Sequence, residues 1–244
     1  MSKVFVISEI IAKDDNTIIQ DYNTNSRTTT CVSSAVNIFE NLLELSVDVS
    51  FIDTFNETIF DYKDIINDDD YVVIDSSLKK NTVSSALSDL KGTKVVYVNS
   101  SYNARKLKSL LDKIDILKIN KLHIKALLKH NNNNEEITEL VKCLNDEGVK
   151  EVLVTDETIL YLGIINDKVY RYIFYDYYEE IKSTTIVSDA LLAGYIFGKY
   201  SHLTINETIR FALSFSVLAI DSDNKLAKVN VEMIQNIIES RNNN

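Results

Sequence analysis

KVVYVNSSYNARKLKSLLDKIDILKI, residues 94–119, places two short apolar runs of strand length on either side of a helically spaced set of leucines. KVVYVN (94–99) is β-branched and aromatic, and DILKI (115–119) is a second such run. Between them Ala104, Leu107, Leu110 and Leu111 recur at the three- and four-residue intervals of one helical face, which predicts a helix over 103–113. Two strands joined through a helix lie parallel, because a tight hairpin turn joins only antiparallel neighbours.

The same alternation runs outward in both directions. VFVIS (4–8), VDVSFID (47–53), YVVIDSS (71–77) and EVLVT (151–155) predict strands. SSAVNIFENLLEL (33–45) predicts a helix with Val36, Phe39, Leu42 and Leu43 on one face, and further helices are expected near 81–91, 121–129 and 134–147, the last ending at Gly148. ILYLGII (159–165) and VYRYIFYD (169–176) predict an antiparallel hairpin over INDK, whose alternation accounts for the aromatic run without a stacked ligand. Helices over 189–200, 204–220 and 230–240 close the chain, the second opened by Thr204 and Glu207 as a capping box. The expected fold is α/β: a mostly parallel central sheet with helices on both faces, and ligands at the carboxyl ends of its strands. Residues 1–244 are read as one domain, with 9–31 and 54–70 as loop segments and 241–244 as a disordered tail.

Composition narrows the function classes. A net charge of −10 argues against nucleic acid or an anionic membrane as the main partner. The lysines of ARKLKSLLDKIDILKINK (104–121) fall among apolar and acidic positions and read as the solvated face of a helix. No apolar run reaches the roughly 18 residues of a membrane span, and no secretory leader is visible, so a cytoplasmic protein is expected. Cys31 and Cys143 are far apart and, with three scattered histidines, give no metal-ligand spacing. NNNN (131–134) reads as an inter-helix loop.

One carboxylate stands out. In TTIVSDALLAGYIFG (184–198), Asp189 follows a Thr-rich turn at the expected start of an apolar helix. Helix N-termini present unpaired N–H groups and partial positive charge, which hold phosphate. A carboxylate there serves either as a helix cap or as a general base for phosphoryl transfer.

At this point the chain resembles the PfkB-type sugar and nucleoside kinases of the ribokinase fold. TTIVSDALLAGYIFGKYSHLTINETIRFALSFSVLAI (184–220) is similar to their C-terminal signature of Thr, Gly-Ala-Gly-Asp and Ala-Phe-x-x-Gly, with Thr185, Asp189, Ala190 and Gly194 matching. SSAVNIFENLLELSVDVSFI (33–52) resembles the Gly-Gly-x-x-x-Asn motif with Asn37 in place, particularly as in pseudouridine kinases. VVYVNSSYNARKLKSLLDKIDILKINKLHIKALL (95–128) carries Ser101 and Asn120 at family positions, and EVLVTDE (151–157) carries Thr155. The blocks stand in the family's order across about three-quarters of the chain.

The resemblance implies ATP and Mg2+ as cofactors and a sugar or nucleoside hydroxyl as acceptor. It implies Asp189 as base, a γ-phosphate hole at Thr185, Ile186, Val187 and Ser188, acceptor contacts at Asn37 and at Asp14 or Lys13, and nucleotide contacts at Asn120 and Thr155. A homodimer is an assembly it allows.

Departures accompany it. Ile186-Val187-Ser188 stand for Gly-Ala-Gly, Val32-Ser33 for Gly-Gly, and His123 for the Glu that organises magnesium, while the glycine after the Thr155 turn is missing. About 15 polar residues stand between FIDTF (51–55) and YVVID (71–75), where the family carries lid strands, so the lid is expected to be largely missing. The expectation is a kinase-like protein with impaired phosphotransfer. An active small kinase using Asp189 and a non-catalytic binding or scaffold protein are the alternatives.

Overall fold

The computed structural model describes residues 2–9, 33–55, 58–129, 136–156, 159–164, 168–173 and 184–221. Its strands form one sheet: β1 (Val4–Ser8), β2 (Val49–Asp53), β3 (Tyr71–Asp75), β4 (Thr93–Tyr97), β5 (Ile116–Asn120), β6 (Glu151–Asp156), β7 (Ile159–Ile164) and β8 (Lys168–Ile173). Their order is β2-β1-β3-β4-β5-β6-β7-β8. The first six are parallel, and β7 and β8 add an antiparallel extension. The α/β class and the antiparallel pairing of β7 with β8 follow the sequence expectation; residues 165–167 and 174–176 of the expected hairpin lie outside the described residues.

Chain direction across the sheet reverses between β1 and β3, since β2 lies on one side of β1 and all later strands on the other. A crevice opens at such a switch point because the connecting helices leave toward opposite faces. The helices obey that rule. On one face lie α1 (Ser34–Glu44), α6 (Thr184–Tyr200) and α7 (Ile205–Asp221). On the other lie α2 (Lys80–Asp89), α3 (Ser101–Lys106), α4 (Lys121–Leu128) and α5 (Ile137–Asp146). Both faces of the central strands are therefore buried, which explains continuous apolar runs such as Val72–Ile74 and Val95–Val96.

Local chemistry sets several boundaries. The Ser33 hydroxyl accepts from the Val36 N–H at 3.4 Å and caps α1. Gly148 ends α5 at φ +107°, a conformation that a Cβ strongly disfavours. Ahead of α7, the Thr204 N–H donates to the Glu207 carboxylate at 2.8 Å, and the Glu207 N–H donates to the Thr204 hydroxyl at 3.4 Å, closing the expected capping box.

Four expectations are corrected. The buried stripe of α1 is Ala35, Ile38 and Leu42, not Val36, Phe39, Leu42 and Leu43; Leu43 is 49 % exposed. Phe39 instead meets Phe51 of the edge strand edge-on at 5.6 Å. The helix over 103–113 is shortened to α3, because Leu107 and Leu110 donate to carbonyls three residues back and tighten the chain into a 3-10 turn at Leu111–Lys113. The basic run 104–121 is no solvated helix face, since Lys118 lies on β5 and is buried. The helix expected from 189 begins at Thr184.

Residues 54–70 hold one 3-10 turn, Ile59–Tyr62, and no strand among those described. Lys13, Asp14, Val32, Cys31 and segments 10–32, 131–134 and 230–244 lie outside the described residues.

Gly194 and Gly198 let α6 and α7 touch backbone to backbone. A Cβ at Gly194 would fall 2.8 Å from the Ala212 Cα, and one at Gly198 2.9 Å from the Thr208 Cα. Alanine would add up to about 1 kcal/mol of helix propensity. Overpacking against backbone typically costs 1–3 kcal/mol, roughly, and wins. We expect Gly194→Ala to lower the denaturant midpoint by that balance without loss of helical circular dichroism. A midpoint equal to or above the parent's would refute the close crossing.

Candidate active site

Side chains alternate along a strand, so the residue two past a core position faces the same way. Val6, Val73, Val95 and Ile116 belong to the core under α1 and α6. Two residues further on stand Ser8, Asp75, Tyr97 and Lys118, each at or near the carboxyl end of its strand. Ladder pairing puts Asp75 beside Tyr97 and Tyr97 beside Lys118. The Ser8 hydroxyl donates to the Asp75 carboxylate at 2.8 Å across the switch point. The result is a buried polar row over β1, β3, β4 and β5.

Asp189 and Asn37 face this row from α6 and α1. Asp189 is 4 % exposed, and its Oδ2 accepts from the Asn37 side-chain amide at 2.9 Å. The Asn41 amide in turn donates to the Asn37 carbonyl at 2.7 Å and fixes that turn of α1. Burial pushes the Asp189 carboxyl up to about 7; the Lys118 ammonium and the Asn37 and Ser34 side chains pull it down, and Asp75 adds to the rise. Burial likewise lowers Lys118, with Asp189 acting against it. The Tyr97 phenol is pushed well above its ordinary value by burial, then by Asp75 and Asp189. A carboxyl near 7, oriented by an amide beside the carboxyl ends of the strands, can take a proton from an alcohol at neutral pH.

Among the described residues, Ser76 Oγ just past β3 and Ser188 Oγ on α6 are buried without a hydrogen-bond partner.

The proposed phosphate hole has a different form from the one expected. Because α6 starts at Thr184, Asp189 is its sixth residue rather than its first. Within a helix only the first three residues' N–H groups lack intrahelical acceptors, here those of Thr184, Thr185 and Ile186. The Ser188 N–H falls within the helical ladder. At 1.5 Å per residue, the helix start lies roughly 7.5 Å along the axis from Asp189.

Asn120 and Thr155 are neighbours in the β5–β6 ladder. The Asn120 side-chain oxygen accepts from the His123 N–H at 2.8 Å and caps α4. Burial takes the His123 imidazole down to about 4, Lys118 pushes it the same way, and a hydrogen bond to the Val98 carbonyl opposes both, so the ring is neutral at pH 7. Magnesium prefers an octahedron of oxygens. Among the described residues no three His, Cys, Asp or Glu groups gather as a metal site. Mg2+ is commonly held by one or two carboxylates together with substrate phosphates and water, and Asp75 and Asp189 are the buried carboxylates that could serve it here.

The family model for pfkB family carbohydrate kinases matches residues 14–228. The chain belongs to that family. Three solved structures illustrate the match for this PfkB family member. A protein assigned as a sugar kinase from Clostridium perfringens superposes with a TM-score of 0.73 at 14 % identity, over 98 % of this chain and 96 % of its own. One assigned as ribokinase II from E. coli, in complex with ATP and Mg2+, gives 0.68 at 13 %, over 98 % and 100 %. Arabidopsis thaliana ribokinase complexed with ribose and ATP gives 0.67 at 14 %, over 98 % and 96 %. Such identities establish the ribokinase-like fold alone. No curated protein matches the chain significantly. No helix among the described residues is long and apolar enough to cross a membrane.

Sequence reasoning placed Asn37 and Asp189 together but missed Ser8, Asp75, Tyr97 and Lys118. Their signal was available: each is a polar residue two positions past a core residue at the carboxyl end of a parallel strand.

The raised Asp189 value has a measurable consequence. The protonated carboxyl is favoured by the fold, so its stabilisation is complete below the unfolded value of 3.8 and is lost as pH rises through about 7. Asp189→Asn mimics the protonated form and should gain stability over the parent between pH 4 and pH 8, by up to about 4 kcal/mol. Paired denaturation curves across that range test it. A constant gap would mean that Asp189 titrates normally.

Proposed function

We propose that this PfkB family member binds a sugar or nucleoside through Asp189 and Asn37 and transfers phosphate to it slowly or not at all. The observation that carries the reading is the position of Asp189, sixth in a helix whose unpaired N–H groups lie a turn away. In phosphoryl transfer, positioning and electrostatics are nearly the whole of catalysis. Removing one preorganised donor typically costs about 10²–10³ in rate. Loss of the Ser188 N–H alone would be enough to leave little turnover. The acceptor half is better preserved: Asp189 is buried, oriented and within reach of a hydroxyl entering over the polar row. Pseudouridine is an acceptor worth testing, given the resemblance around Asn37.

A specific observation favours an active kinase as the second reading. A carboxyl held near 7 is well matched to general-base work at neutral pH.

The two separate in one experiment. Thermal shift with ribose, fructose, adenosine and pseudouridine reports binding, and phosphate transfer from ATP to the same panel reports turnover. We expect stabilisation by an acceptor, its loss in Asp189→Ala and Asn37→Ala, and transfer at least roughly a hundredfold below ordinary kinase rates of 1–100 per second. Turnover at ordinary rates, abolished by Asp189→Ala, would establish the second reading instead. No stabilisation by any of the four would leave neither standing.

A further inference from the structure

Most of what α6 buries is apolar and small. Ala190 and Ala193 belong to the core beneath it, and Gly194 and Gly198 meet α7. Apolar contact has no direction, so it fixes poorly where a helix sits along and about its own axis. Two polar contacts supply that direction. One is the bond from Asn37 to Asp189, near the carboxyl ends of the strands. The other lies at the opposite end of the sheet. Glu151, the first residue of β6, accepts from the Tyr195 hydroxyl on Oε2 at 2.6 Å and from the Lys199 ammonium on Oε1 at 2.7 Å.

We propose that Glu151 is a positioning residue for the candidate site, gripping Tyr195 and Lys199 so that α6 presents Asp189 to Asn37. The inference rests on the reading of Asp189 as the carboxyl that meets the acceptor.

Both oxygens of one carboxylate hold two side chains a single helical turn apart. Tyr195 is fully buried, and the Glu151 and Lys199 side chains are 15 % and 29 % exposed. Burial, and then Glu151, hold the Tyr195 phenol above its ordinary value, so it remains a donor at neutral pH. Tyr195 follows Asp189 by six residues, roughly 9 Å along the helix and about 120° around it. Contacts separated in both senses set translation and rotation together, which neither does alone. A buried polar cluster often adds little net stability over apolar replacements, and setting register is its best attested use.

The test follows the Asp189 carboxyl carbon of the full chain by NMR as pH is raised, in the parent, Tyr195→Phe, Lys199→Met and Lys199→Arg. Burial is the largest cause of the raised Asp189 value, so displacement of α6 toward water outweighs loss of the Asn37 donor and lowers it. Lys118 and Asp75, which also act on Asp189, are unchanged in these variants. We expect the proton affinity of Asp189 to fall about tenfold in Tyr195→Phe and Lys199→Met, and to match the parent in Lys199→Arg, which keeps a charged donor. Removing the Lys199 charge would by itself raise that affinity, so a fall reports geometry. A merely structural contact would lower the unfolding midpoint and leave the Asp189 titration in place. That result, or equal changes in Lys199→Met and Lys199→Arg, would overturn the proposal. Tyr195→Phe removes one hydroxyl and no charge, so it decides even if Lys199→Met fails to fold. The titration needs no acceptor: failure of every acceptor to bind would remove the proposed function and leave this inference standing, and a parent-like titration with an acceptor still bound would do the reverse.

Discussion

The hydrogen bond from the Asn37 amide to Asp189 joins residues 152 positions apart, and the geometry of the site depends on it. It ties α1, which leaves the sheet after β1, to α6, which follows the last strand. Both helices lie on one face and meet over the switch point between β1 and β3. The bond also gives a buried carboxyl a donor, without which its burial would cost far more. Asn41 behind Asn37, and the close α6–α7 crossing at Gly194 behind Asp189, hold the two ends of this contact in place.

Beneath that bridge the sheet carries mixed chemistry in a confined space. Asp75, Tyr97 and Lys118 stand side by side in the ladder; Asp75 and Lys118 act on the charge preference of Asp189, and Asp75 and Asp189 act on that of Tyr97. Lys118 opposes the burial that would keep Asp189 protonated, while Asp75 reinforces it. The balance leaves Asp189 poised near neutrality rather than firmly in either state. Polar residues at the carboxyl ends of parallel strands are where this fold class keeps its ligands.

Two features of the structure underlie the proposal of slow transfer. Ile186, Val187 and Ser188 lie within α6, so the Ser188 N–H belongs to the helical ladder. His123 stands in the first turn of α4 as a neutral ring, its backbone N–H donating to the Asn120 side chain.

The amino-acid sequence by itself determined the α/β alternation, the parallel order of the central elements, the terminal hairpin and the caps at Thr204 and Gly148, because these follow from local periodicity and turn chemistry. It also singled out Asp189, from its place beside an apolar helix, and Asn37, through the resemblance to the PfkB motifs. Only the tertiary structure decided the rest. The α1 stripe shifted because Phe39 found Phe51 on the edge strand, and the helix over 103–113 was cut short where the chain tightened into a 3-10 turn. Lys118, hidden in a basic run that reads as solvated, became buried because strand alternation turned it under α6. The start of α6 at Thr184 was equally out of reach, since β-branched and hydroxyl residues suit a turn and a first helical turn alike. Which they adopt depends on long-range packing, and that choice places Asp189 inside the helix.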